Sequence, residues 1–189
     1  YNEAGSGLQY TYHNAKNAET FGVELDVKKN LDFIGLRGLS FVCNAAYIYS
    51  RVRFEEGAPE RDRPVAGQSP CWVNAGFFYQ YDDKGISASL LYNRIGKRIE
   101  SVGVPMQNQD EDIPDIYEMP RNSLDLTFSK KIGKIVEIKA GIQDILNSKV
   151  EYKQFVKLTD DKGGKSEREQ LIRSYRPGVD INIGVSLRF

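Results

Sequence analysis

Apolar and polar residues alternate with a period of two along most of this chain. From Tyr175 to Phe189, Val179, Ile181, Ile183, Val185, Leu187 and Phe189 alternate with Asp180, Asn182, Gly184, Ser186 and Arg188. A period of two is that of a β-strand with one apolar and one polar side. This run is longer than the roughly five or six residues of an average globular strand. Strands of about ten residues with such two-sided character belong to barrels that cross a membrane.

The same alternation recurs upstream. Phe21, Val23, Leu25 and Val27 share one side of the segment 18–28, opposite Thr20, Gly22, Glu24, Asp26 and Lys28, and the pattern stops at Lys29 and Asn30. A connection 31–38 leads to Leu39, Phe41, Cys43, Ala45, Tyr47 and Tyr49, then to Val73, Ala75, Phe77, Tyr79 and Tyr81, then to Ile86, Ala88, Leu90 and Tyr92 in a strand running to about Ile99. Leu124, Leu126 and Phe128 follow, then Val136, Ile138, Ala140 and Ile142. The pattern stumbles at Asp144-Ile145-Leu146-Asn147, a bulge or helical turn, and resumes over 152–156. Seven strands are predicted, eight if Leu8, Tyr10 and Tyr12 begin another.

Connections alternate in length. Polar loops are expected near 51–68, 101–119 and 157–173, and tight turns at Asp82-Asp83-Lys84-Gly85 and at 130–134, where Asp and Gly tolerate left-handed backbone. Long loops on one rim and short turns on the other are the asymmetry of an outer-membrane barrel. Tyr47, Tyr49, Tyr79, Tyr81, Tyr92 and Phe189, near strand ends on the apolar side, resemble interfacial girdles.

Composition narrows the alternatives. No apolar run approaches the ~20 residues of a membrane-spanning helix, and mean hydropathy is below zero. A transmembrane barrel stays compatible, because only alternate residues face lipid. The 11 Tyr and 9 Phe against 2 Met and one Trp favour strands. The 189 residues carry a formal net charge of zero, so nothing in the total points to nucleic acid. The chain shows no initiating Met or signal peptide at Tyr1, and is expected to be a mature or truncated piece. Cys43 and Cys71 are expected to sit on neighbouring strands, offset by about nine positions or roughly 30 Å, too far to bridge. Two free thiols on the apolar side and no metal site follow.

Alternation alone does not decide which side points where, since a soluble lipocalin-like barrel buries its apolar face. A resemblance adds to the pattern. The run Asn14-Ala15-Lys16 through Phe21-Gly22-Val23-Glu24-Leu25 is similar to a signature found late in TonB-dependent outer-membrane receptors. Glu60-Arg61-Asp62-Arg63-Pro64 through Gly67-Gln68-Ser69-Pro70 and Val73-Asn74-Ala75-Gly76 resembles the next block of that family. Tyr92-Asn93-Arg94-Ile95-Gly96-Lys97-Arg98, Pro120-Arg121-Asn122, Gln143-Asp144-Ile145-Leu146-Asn147 and the strand ending at Phe189 follow in the same order.

The resemblance covers nearly the whole chain and is strongest to Bacteroidetes-type receptors. It implies that residues 1–189 are the C-terminal part of an all-β, antiparallel transmembrane barrel of about 22 strands closed by a plug, of which this chain supplies about seven or eight. It further implies location in the bacterial outer membrane and import of a siderophore, cobalamin or oligosaccharide. The implied partners are outer-membrane lipid, the TonB complex through a plug this chain lacks, the barrel-assembly machinery and the small-molecule or oligosaccharide substrate. A self-contained eight-stranded outer-membrane barrel and a soluble ligand-binding barrel remain alternatives.

No catalytic set is legible. His13 is the only histidine, so neither a Ser-His-Asp triad nor a His-rich metal site is expected. No enzyme activity and no cofactor are expected either. Asp110, Glu111, Asp112 and Asp115 have oxygen ligands of the type calcium takes, and also read as a solvated loop. Arg61, Asp62 and Arg63 are candidates for contacting substrate from the outer rim, or for pairing with each other. Phe189 is read as the terminal aromatic recognised during barrel assembly.

Overall fold

The computed structural model describes residues 14–58, 60–104, 112–159 and 164–188. They form eleven strands: β1 Asn17–Asn30, β2 Leu39–Arg53, β3 Cys71–Tyr81, β4 Ile86–Ile95, β5 Arg98–Ser101, β6 Ile116–Glu118, β7 Arg121–Ile132, β8 Val136–Gln143, β9 Val150–Thr159, β10 Lys165–Tyr175 and β11 Asp180–Leu187. A seven-stranded antiparallel sheet runs in the order β1-β2-β3-β4-β7-β8-β11, and a four-stranded one in the order β10-β9-β6-β5. The all-β, antiparallel expectation holds. The large sheet is open among the described residues, with β1 and β11 at its two edges, and the segment around Leu8, Tyr10 and Tyr12 lies outside them.

Register aligns the alternation of each strand with that of the next. Phe41 stands opposite Phe77, Phe77 opposite Leu90, Leu90 opposite Leu126, Leu126 opposite Ile142 and Ile142 opposite Ile181. One residue along, Ser40, Phe78, Ser89, Thr127, Gly141 and Asn182 form the corresponding row on the other face. That face is tied by side-chain hydrogen bonds between Ser87 and Ser129 at 2.7 Å, between Ser89 and Thr127 at 2.6 Å, and from Asn93 to Asn74. Neither face is a dry core. Only Ala46, Ile99 and Val150 are buried hydrophobics among the described residues, while Ile183 is 76% exposed, Ile181 68% and Leu126 39%.

The short connections lie on one rim. A 3₁₀ turn at Asp32–Ile34 joins β1 to β2, and another at Asp82–Lys84 joins β3 to β4, each ending on a left-handed glycine, Gly35 and Gly85. Gly133, also at positive φ, turns β7 into β8.

At the opposite rim four strands of the large sheet pass through a break and re-pair as the small sheet. β4 becomes β5 across residues 96–97, and β6 becomes β7 across 119–120, without change of register: Ile95 faces Arg121 and Arg98 faces Glu118. Between β8 and β9 the chain carries two extra residues. From Leu126–Ile142 to Glu118–Tyr152, eight steps on one strand match ten on the other, and the surplus recurs against β11 and β10. The predicted stumble at Asp144-Ile145-Leu146-Asn147 is this bulge, with Asp144 and Asn147 at positive φ. Arg121 holds Asp144 at 2.5 Å, the Asp144 amide donates to Asp125, and Asn147 receives hydrogen bonds from Arg176 and the Gly178 amide.

Two expectations are corrected. The loop placed at 157–173 is mostly strand: β9 runs on to Thr159, and β10, its hairpin partner over Lys165–Tyr175, is polar on both faces through its first six residues and so shows no alternation there. Cys43 is offset from Cys71 by four positions rather than nine, since Tyr47 stands opposite Cys71 and Cys43 opposite Ala75. That spacing, about 13 Å at strand rise, still exceeds bridging distance, and both thiols are free.

Gly38 provides a test of the turn rim. Its φ is +75°, and an added Cβ would sit 2.2 Å from the Gln80 carbonyl oxygen, whereas Gly35, at +85°, has open space around it. Gly35→Ala is expected to cost about 1 kcal/mol for the left-handed backbone alone, and Gly38→Ala more than about 2 kcal/mol. Equilibrium unfolding of the two variants checks the difference, and equal losses would contradict the close approach.

Candidate functional site

The small sheet, the loop between β2 and β3 and the described parts of the connection between β5 and β6 line a cleft of about 330 Å³. The loop is fastened at several points. Val52 and Arg63 form a backbone bridge, the Val65 amide donates to buried Ser50 at 3.2 Å, and the Gly67 amide donates to the carbonyl of buried Ile99 at 2.8 Å. Ser69, also buried, donates to the Cys71 carbonyl at 2.7 Å and accepts from the Gly96 amide at 3.0 Å. The break after β4 and the returning loop are thereby locked together, which puts Lys97 at the cleft wall.

One face of the small sheet supplies the other wall. Tyr117 lies opposite Lys153, and Phe155 and Lys157 follow at alternate positions of β9, with Glu167 opposite Lys157. Tyr117 and Phe155 meet edge to face, centroids 5.8 Å apart at 68°. The Lys97 ammonium sits 4.3 Å from the Tyr117 ring centroid and 4.4 Å from that of Phe155. A cation shared by two ring faces is held by their quadrupoles in place of a carboxylate.

Arg61, Asp62 and Arg63 all line this cleft, and they do not pair with one another. Arg61 pairs with Asp112. Asp62 accepts from Arg51 at 3.2 Å and from the Phe54 amide at 3.2 Å. Arg63 lies 4.9 Å above the Phe54 ring, and its Nε is buried without a hydrogen-bond partner. Asp115 accepts from the Gly103 amide at 2.8 Å and from the Tyr117 hydroxyl at 3.4 Å.

Burial pushes the Tyr117 phenol up, and the Asp115 carboxylate adds to the shift. Lys153 is raised by its hydrogen bond to Glu169 at 2.7 Å, then by Glu151.

Other sequence candidates fall elsewhere. Phe189 and His13 lie outside the described residues, as do Asp110 and Glu111. Among the described residues no three His, Cys, Asp or Glu side chains gather to hold a metal. Sequence reading passed over Lys97, Tyr117, Phe155 and Lys157. The only signal was the interruption of alternation at Gly96-Lys97, since pairing of β6 with β9 across 36 residues of chain has no local signature. No protein-family model, curated protein or solved structure matches the chain.

The direction of the Tyr117 and Lys153 shifts fixes a pH dependence. Both are raised above ordinary values of 10.0 and 10.5. Their contribution to folding is therefore complete below those values and is lost as pH climbs through the folded ones. Alkali should loosen the small sheet. In a titration followed by tyrosinate absorbance, the difference between the native chain and Tyr117→Phe should be a component ionising above pH 10.0. A component at or below that value would contradict the burial of the phenol.

Proposed function

We propose that this chain forms the C-terminal part of the barrel wall of a TonB-dependent receptor in the bacterial outer membrane. The uncovered apolar face of the seven-stranded sheet carries the reading. Phe21, Val23, Leu25, Tyr47, Phe77, Leu90, Leu126, Phe128, Ile181, Ile183, Val185 and Leu187 are all exposed on it. Leaving such side chains in water forfeits about 1.5–3 kcal/mol apiece relative to burial, and a bilayer covers all of them at once. β1, β2, β3, β4 and β7 have 14, 15, 11, 10 and 12 residues, enough for the ~9–11 residues of a tilted spanning strand. Tyr79 and Tyr81 lie toward the turn rim and Tyr47, Tyr49 and Tyr92 toward the other, the placement of interfacial girdles. No helix of the described residues is long and apolar enough to cross a membrane, which leaves strands untouched.

The open edges at β1 and β11 fit a piece of a larger closed wall, because an unpaired edge in hydrocarbon leaves backbone groups unsatisfied. The family-like blocks support the same assignment by their positions: Asn14 to Leu25 enters β1, Tyr92 to Arg98 spans the first break, and Gln143 to Asn147 forms the bulge. On this reading a siderophore, cobalamin or oligosaccharide first meets the rim cleft and then passes the polar face. TonB acts through a plug on another part of the receptor, and the assembly machinery reads the final strand. The role is transport, without catalysis.

Adjacent residues on opposite faces test it. With the chain in phospholipid vesicles, nitroxide labels at Ile183 and Leu126 should be relaxed by lipid-soluble oxygen, and labels at Asn182 and Thr127 by a water-soluble nickel chelate. Leu126→Arg should cost about 2–4 kcal/mol of folding stability in lipid. Reversed accessibilities would refute the lipid-facing assignment.

A further inference from the structure

The charges of the rim cleft divide into those already engaged and those left over. Asp62, Asp112 and Asp115 are engaged, by Arg51, Arg61 and the Gly103 amide with Tyr117. Three cations have no carboxylate partner among the described residues. Lys97 rests on two rings, Arg63 rests on Phe54, and Lys157 faces Glu167 across β9 and β10 without forming an ion pair. A cation held on an aromatic face is fixed in place while its N–H groups stay free to donate elsewhere.

Two carboxylates, Glu60 and Glu167, line the same cleft and have no ion-pair partner among the described residues. They are acceptors only, so they suit hydroxyl donors and repel a second negative charge. The cleft is at the small end of the ligand-pocket range of about 300–1,000 Å³, the scale of one or two rings and not of a large chelate.

From this division we propose that the cleft bounded by Arg63, Lys97, Lys157, Glu60 and Glu167 binds a monoanionic, polyhydroxylated ligand, a uronic acid unit of a glycan. Lys97 and Arg63 receive its carboxylate, and Glu60 and Glu167 accept from its hydroxyls. Tyr117 and Phe155 set the position of Lys97 and contribute no charge. The inference deepens the transport reading by naming its cargo, and rests on that reading only for where the ligand goes next.

Calorimetric titration of the chain in detergent with glucuronate, glucose and the dianion glucarate tests it. Glucuronate should bind, more weakly as salt is added, and glucose and glucarate should bind at least about tenfold less well. Lys97→Met and Arg63→Gln should each lower glucuronate affinity about 10- to 100-fold, the worth of one charge-assisted hydrogen bond. Lys97→Arg, which keeps the charge, should retain most of it, and Lys139→Met, on β8 in the large sheet, should change nothing. Replacing Glu60 and Glu167 by Gln together should raise glucarate affinity relative to glucuronate. Absence of glucuronate binding, equal binding of glucose, or full binding by Lys97→Met overturns the proposal. Because this readout is independent of which face meets lipid, its failure is separable from that of the vesicle experiment.

Discussion

A slip of one residue between any two strands of the large sheet would turn every side chain of one strand to the opposite face. The structure therefore depends on register. Six strands place Phe41, Phe77, Leu90, Leu126, Ile142 and Ile181 in one row and Ser40, Phe78, Ser89, Thr127, Gly141 and Asn182 in the next. Glycine is part of the fit. A Cβ on Gly141 would meet the Asn182 side chain at 2.7 Å, and one on Gly22 the Tyr47 carbonyl at 2.6 Å. With three buried hydrophobics in all the described residues, such a sheet is held by its backbone ladders and by whatever covers its apolar face.

The second constraint is the level at which four strands break. Gly96-Lys97, Met119-Pro120, the Asp144 to Lys149 bulge and the stretch 176–179 fall at corresponding positions of neighbouring strands. Two of the crossings keep register, and the bulge absorbs two extra residues, so the small sheet continues the same strands in a shifted register. A β-bulge re-aims the strand that carries it. Here Arg121, Asp144 and Asp125 bind the bulge to β7, and Asn147 binds it to the segment before β11. Above this level Ile99 and Val150 are buried, and Tyr117 and Phe155 make ring and charge contacts.

The same junction explains why the rim residues are fixed in place. Ser69 joins the β2–β3 loop to the break at Gly96, and the Ile99 carbonyl receives the Gly67 amide. Loop and small sheet thus form the two walls of the cleft, with Lys97 between them. Its ammonium is oriented by Tyr117 and Phe155, which come from strands far apart in sequence. Function concentrates on loops that a rigid scaffold positions, and in this chain the scaffold is the extended hairpin pairing of β5, β6, β9 and β10.

The alternation by itself determined the strands of the large sheet, their two-sided character, the turns near Asp82 and Gly133, the free thiols and the disturbance at Asp144 to Asn147. A period of two is a local property, and each strand carries it whole. Local pattern missed β10, because the residues from Lys165 to Gln170 are polar on both faces of the strand and carry no alternation. It misjudged the offset of Cys43 from Cys71, because register across a seventeen-residue loop, 54–70, is set where the loop is fastened at Val52, Arg63 and Ser50. It singled out Arg61, Asp62 and Arg63 without their partners. Arg51, Phe54 and Asp112, and the whole of the Lys97, Tyr117 and Phe155 arrangement, were decided only by tertiary structure, since contacts between residues distant in sequence follow from how strands pair and not from what any strand contains.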